Sequence, residues 1–245
     1  MTVSNPSIVH RVTHLQRLVL WVFVGCVCSL GAISDGFASI VVSYDLTGQD
    51  GRQDLTAGAA AAGIVAGDLA RGSGLNNNKT QTDSMAAGQW NGQATDYFSF
   101  GFTVDAATSV NLVTIDIRTQ SSDRGPGTLG LFYSTDGFAT SSELGTSVFD
   151  QSGTNAVDSS IDLSSIVPLQ NLSNVTVDFR ILQIGTVASG GGASNTSGTF
   201  SISNFGGSSA TPFTINGTIN AVPEVTRPIV LIGVLAAASI FRSRR

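Results

Sequence analysis

YFSFGFTV, residues 97–104, sets Phe98, Phe100, Phe102 and Val104 at every second position, with Tyr97, Ser99, Gly101 and Thr103 between them. Successive side chains of a strand point to opposite faces, so this spacing describes a strand with one face in a core. A helix would scatter the same rings around its circumference. The fold class to expect is all-β, and the rest of the chain can be tested against that expectation.

The next segments keep the period of two. In SVNLVTIDIRTQ (109–120), Val110, Leu112, Thr114 and Asp116 fall on one side and Val113, Ile115 and Ile117 on the other. In GPGTLGLFYSTDGF (125–138), Leu129, Leu131 and Tyr133 oppose Gly130 and Phe132. A first strand is expected in 39–48, and others at 147–151, 157–163, 175–184, 198–205 and 213–219. Clusters of Gly, Asn, Asp, Ser and Pro separate them. The Ala- and Gly-rich stretch 54–79 has no steady period and reads as loop, with a brief strand or turn at 63–69. Short strands at this spacing predict an antiparallel β-sandwich over residues 39–220, with Phe98, Phe100, Phe102, Ile115 and Phe179 in its core.

Composition agrees. Only 12% of the 245 residues are charged and 28 are Gly, which suits a turn-rich β protein facing water. Residues 39–220 hold fifteen acids against six bases, a balance of −9. No basic patch is present to neutralise phosphates, which argues against nucleic-acid binding. The same residues contain no Cys and no His. Disulfides, thiolate nucleophiles, Cys/His zinc sites and His-dependent triads are thereby excluded from that body.

The two ends differ from the body. Arg11 and Arg17 precede the apolar run LVLWVFVGCVCSLGAI (18–33), and small residues follow at Gly36 and Ala38. That order is a secretory signal peptide, expected to span 1–38 with cleavage after Ala38. It takes with it Cys26, Cys28, His10 and His14. At the other end, residues 229–241 are apolar and read as a single transmembrane helix, with Arg242, Arg244 and Arg245 held on the cytoplasmic side.

The succession Val222-Pro223-Glu224, apolar run, terminal arginines resembles the PEP-CTERM sorting signal of bacterial exosortase substrates, here spanning 221–245. Val225 stands where that family usually has a second proline. The stretches DLARGSGLNNN, the one from Asp96 to Thr146, and LSNVTVDFRILQ with SGTFSISNFGGSS and FTINGTI look like the jelly-roll-like region often found ahead of such tails. The resemblance implies export, transient anchoring in the inner membrane and processing by an exosortase-type enzyme near the Pro-Glu signature. Delivery to the cell surface, outer envelope or an exopolysaccharide matrix would follow. It implies no molecular activity.

Candidate sites within the body are few. YDLTGQDGRQD (44–54) brings Asp45, Asp50 and Asp54 close in sequence. Turn oxygens suit Ca²⁺, although the spacing is not that of an EF-hand loop, and Asx residues in turns also serve their own backbone. No other metal and no cofactor is expected. Glu143, the only Glu in the body, has no opposed carboxylate in view for glycoside hydrolysis. The pairs Asp116/Arg118 and Asp178/Arg180 sit two apart and are expected to form surface ion pairs. Trp90 in GQWNGQ could stack on a sugar ring or close the core edge, and burial is the expectation. The expected function is that of an exported, non-catalytic surface or matrix protein. The alternative is a carbohydrate-binding module, with Ca²⁺ dependence as an open option, distinguished by an aromatic row on an outer sheet face or a bound ion.

Overall fold

The computed structural model describes residues 38–150, 154–206 and 211–222. In chain order the strands are β1 (Ser39–Tyr44), β2 (Leu55–Thr56), β3 (Ala59–Ala60), β4 (Ile64–Ala66), β5 (Leu69–Arg71), β6 (Ser84–Gly88) and β7 (Tyr97–Val104). There follow β8 (Thr108–Ser121), β9 (Thr128–Ser134), β10 (Ser142–Asp150), β11 (Val157–Asp162), β12 (Val175–Gln183), β13 (Thr199–Ser203) and β14 (Phe213–Ala221). They form two antiparallel sheets. The first runs β3-β1-β14-β8-β13-β6 with β11 also on β8, and the second runs β10-β9-β12-β7-β5-β2 with β4 also on β7.

Register shows how the long strands organise each sheet. Residues of β8 that pair with β11 on one side pair with β14 or β13 on the other: Asp116 faces Ser160 and Thr214, and Arg118 faces Asp158 and Ser203. β13 and β14 therefore lie end to end along one edge of β8. In the same way β4 and β5 lie end to end along β7, opposite β12.

The apolar faces of the two sheets meet in one aromatic core. Phe98, Phe100, Phe102 and Val104 are all buried, as are Ile115 and Phe179. Across the gap, Phe100 of the second sheet stands edge-on to Tyr44 (centroids 6.2 Å apart) and Phe213 (4.9 Å) of the first, and stacks on Phe179 at 5.2 Å. Trp90 closes one end, fully buried against Phe98 and Phe200, with its indole N–H donated to Ala87 O. That settles its place as core.

Strict alternation along β8 would have turned Val110 and Leu112 away from Ile115 and Ile117, yet all four are buried. Asn216 pairs with Thr114 and Gly217 with Leu112, so Val113 has no partner in β14. This bulge shifts the phase by one residue and returns both halves of the strand to the core. Gly217 permits it, because a Cβ there would overlap the carbonyl oxygen of Asn111.

The stretch 54–79, read as loop, contains four short strands. β6, which the sequence reading left out, is buried at all five residues. Ala and Gly strands pair through backbone and carry no large side chains to mark a period. Arg71 holds this region together. Its guanidinium donates to the carbonyls of Gly51, Gln53 and Ala86 at 2.5–2.8 Å, tying β5 to β6 and to the segment before β2.

Tyr44 links the sheets with a polar contact as well. Its buried hydroxyl donates to Gly101 O at 3.0 Å and accepts from Gly101 N at 3.1 Å. Burial pushes the phenol well above the ordinary value of about 10, against a smaller opposing effect of the Gly101 hydrogen bond. Replacing Tyr44 by Phe leaves the buried Gly101 N–H without this partner, while Gly101 O keeps the Gly67 amide at 2.8 Å, and is expected to cost about 1–3 kcal/mol in urea unfolding. The sign of the pH effect follows from the raised value. The contribution is intact below about pH 10 and is lost as the pH rises beyond it, because only the unfolded chain ionises there. Wild-type stability should fall on that alkaline limb more steeply than that of Tyr44→Phe; parallel limbs would count against this hydroxyl contact.

Candidate functional site: an arginine between two aromatic rings

The outer face of the second sheet is made by the residues that alternate with the core set. On β7 these are Tyr97, Ser99, Gly101 and Thr103, and on β12 Thr176, Asp178, Arg180 and Leu182. Arg180 faces Ser99 on one side and Phe132 of β9 on the other. Its guanidinium carbon lies 4.2 Å from the ring centre of Tyr97 and 3.9 Å from that of Phe138. Both contacts are close enough for strong cation–π attraction. All three residues are half-buried.

The Phe138 ring is brought there by a built turn. Ser134, at the end of β9, donates its hydroxyl to Asp136 at 2.6 Å and accepts from the Asp136 and Phe138 amides. Asp136 in turn accepts from the Thr140 amide at 3.0 Å and the Thr140 hydroxyl at 2.6 Å. Within this frame Phe138 has φ +65°, a left-handed backbone that a bulky side chain seldom adopts. The strain is held where an aromatic ring covers a cation.

Among the described residues Arg180 makes no ion pair. Its Nε is buried without an acceptor, and no carboxylate lies within 4.0 Å among the described residues. Asp178, two positions along, is pushed above the ordinary carboxylate range by burial, an effect the Arg180 charge partly opposes. The expected pairings Asp178/Arg180 and Asp116/Arg118 are thus corrected. Positions two apart on a strand are separated by about 6.6 Å of rise, whereas directly opposed residues are closer. Arg118 accordingly pairs across strands with Asp158 at 3.0 Å. Asp116 accepts from Ser160 at 2.5 Å and from Asn216 at 2.8 Å.

The outer face of the first sheet is different. Thr114, Asp116, Ser160, Thr214 and Asn216 are hydrogen-bonded largely to one another. Near the β8–β13 end, two adjoining hollows of about 150 Å³ each share Gln81 and Gln120. The Gln81 amide donates to Gln120 and the Gln120 amide to Thr154 O, both at 2.6 Å.

The structure does not bring Asp45, Asp50 and Asp54 together. Asp45 accepts from the Thr47 amide and Asn204, Asp50 from the Arg52 amide, and Asp54 from Asn77. Among the described residues no three acidic, His or Cys side chains gather at metal-ligand distance. Glu143 lies exposed in β10 opposite Phe132. Val222 directly follows β14 and donates its amide to Ala107 O at 2.8 Å. Pro223, Glu224, Arg242, Arg244, Arg245 and the expected signal peptide up to residue 37 lie outside the described residues. Among the described residues no helix is long and apolar enough to cross a membrane. No protein-family model and no curated protein matches the chain.

Sequence reasoning passed over the Arg180 site because its parts come from three segments. The one local signal was STDGF, a turn sequence ending in an aromatic residue. Hydrogen bonds from Ser134 and Thr140 hold the Asp136 carboxyl down to about 2. The turn is accordingly expected to stay ordered from neutral pH well below the usual carboxylate range and to loosen as the pH falls toward 2. Carbon-detected NMR titration of Asp136 reads this directly: Ser134→Ala should move its midpoint up toward about 3.9, and an unmoved midpoint would refute the hydroxyl's part in the turn.

Proposed function

We propose that the protein is an exported, non-catalytic surface or matrix protein. In this reading Val222, Pro223 and Glu224, the apolar run after them and Arg242, Arg244 and Arg245 direct sorting, transient anchoring in the inner membrane and processing by an exosortase-type enzyme. The carrying observation is the order of parts along the chain: a basic-apolar-small start, a body without Cys or His, then signature, apolar run and arginines. Two features of the body support it. The strand orders β1-β14-β8-β11 and β7-β12-β9-β10, with the chain passing repeatedly between sheets, favour the jelly-roll reading. Val222, the first residue of the signature, also directly follows the end of β14.

A second reading, a carbohydrate-binding module, is favoured by one observation. The outer face of the second sheet carries Tyr97, Phe132 and Phe138, whereas that of the first is largely Ser, Thr, Asn and Asp.

Replacing Pro223 and Glu224 by Ala should leave membrane insertion intact, since neither lies in the apolar run, and should cause uncut precursor to accumulate in membrane fractions. Deleting residues 242–245 should instead impair retention, because the arginines resist translocation. Immunoblots and terminal mass spectrometry of cell fractions distinguish the forms. Processing of the double variant at the normal rate would overturn the sorting reading.

A further inference from the structure

Six cations lie in residues 39–220. Arg71 and Lys79 donate to backbone carbonyls, and Arg118 to Asp158. Arg52 and Arg124 are exposed. Arg180 differs from all of these: half-buried, clamped between two rings, and without an acceptor among the described residues. Removing a guanidinium from water costs free energy that hydrogen bonds normally return. Here cation–π contact with Tyr97 and Phe138 offsets part of that cost and fixes the plane of the group. Its Nε is buried without a hydrogen-bond partner among the described residues, whereas the terminal nitrogens are not buried and unpartnered in this way.

We propose that Arg180 is a receptor for the carboxylate of an acidic polysaccharide. A guanidinium presents paired N–H donors that match the two oxygens of a carboxylate. Held between rings, it loses little rotamer freedom on binding, so the site is preorganised. The surroundings favour a sugar polymer over a protein. The rings of Tyr97, Phe132 and Phe138 are each half-buried. The hydroxyls of Thr103 and Thr176, hydrogen-bonded to each other at 2.8 Å, lie on the same sheet face among polar partners for sugar hydroxyls. The balance of −9 over residues 39–220 gives no general attraction to polyanions, so retention of one must come from a particular site. This inference rests on the carbohydrate-binding reading of the face and is independent of how the tail is processed.

Affinity electrophoresis of the full-length chain in detergent tests it, with polygalacturonate, fully methyl-esterified polygalacturonate or polyglutamate cast into the gel. Mobility is compared with a polymer-free gel for each variant. Polygalacturonate should retard the wild type and the methyl ester should not. Arg180→Gln should reduce the retardation at least tenfold. Arg180→Lys, which keeps the charge and serves as the folding control through its melting temperature, should also reduce it severalfold because the paired donors are lost. The Pro223→Ala/Glu224→Ala variant should be retarded like the wild type, which separates this site from the sorting reading. Equal retardation by the methyl ester, or undiminished retardation of both Arg180 variants, would overturn the proposal. Retardation by polyglutamate equal to that by polygalacturonate would overturn the glycan assignment in favour of an acidic peptide.

Discussion

Phe100 projects from the middle of β7 into a space bounded by Tyr44 and Phe213 on the facing sheet and Phe179 beside it. Each such ring withdraws a large apolar area from water, on the order of 1.5–3 kcal/mol per side chain, and edge-on ring pairs add about 0.5–1.5 kcal/mol more. Much else follows from holding the two sheets together at this point. β7 must keep its period of two so that Phe98 and Phe102 flank Phe100. β8 must bulge at Val113 so that Leu112 and Ile115 both reach the same layer. The Tyr44 hydroxyl, carried across the gap by its ring, finds the Gly101 backbone as its partner.

Once the inner faces are committed, the outer faces are free to differ, and they do. The first sheet spends its outer polar groups on one another, through Asp116, Asn216, Ser160 and the Arg118–Asp158 pair. Such a surface is self-satisfied. The second sheet leaves a cation without an acceptor among the described residues and covers it with rings from two elements, one of them on a strained turn. Position explains the pairing: Arg180 lies next to Phe179, so the same short stretch of β12 supplies both a core ring and the outward guanidinium.

The alternating segments were legible because large apolar side chains mark a period. Phe98, Phe100, Phe102 and Phe179 could be placed in the core from spacing alone. Ile115 could be placed as well, but Val110 and Leu112 could not be placed on the same side, since a bulge is a one-residue change in pairing that no side chain in β8 announces. Gly217, in the middle of the alternating strand FTINGTINA, was the available sign. β6 escaped because Ser84, Ala86 and Gly88 give no periodic signal even when buried. The Arg180 site was least legible of all. It depends on Tyr97, Phe138 and Arg180 converging from segments about 40 residues apart or more in sequence, a product of register rather than of any motif.

Phe100 and Phe213 join the two sheets by direct contact, and a double-mutant cycle measures that contact. Phe100→Leu, Phe213→Leu and the double variant would be unfolded in urea, keeping an apolar side chain at each position. The expected coupling energy is about 0.5–1.5 kcal/mol, with the double variant losing less than the sum of the single losses. Strict additivity of the two losses would mean that the rings do not touch, and would contradict the packing of the two sheets described above.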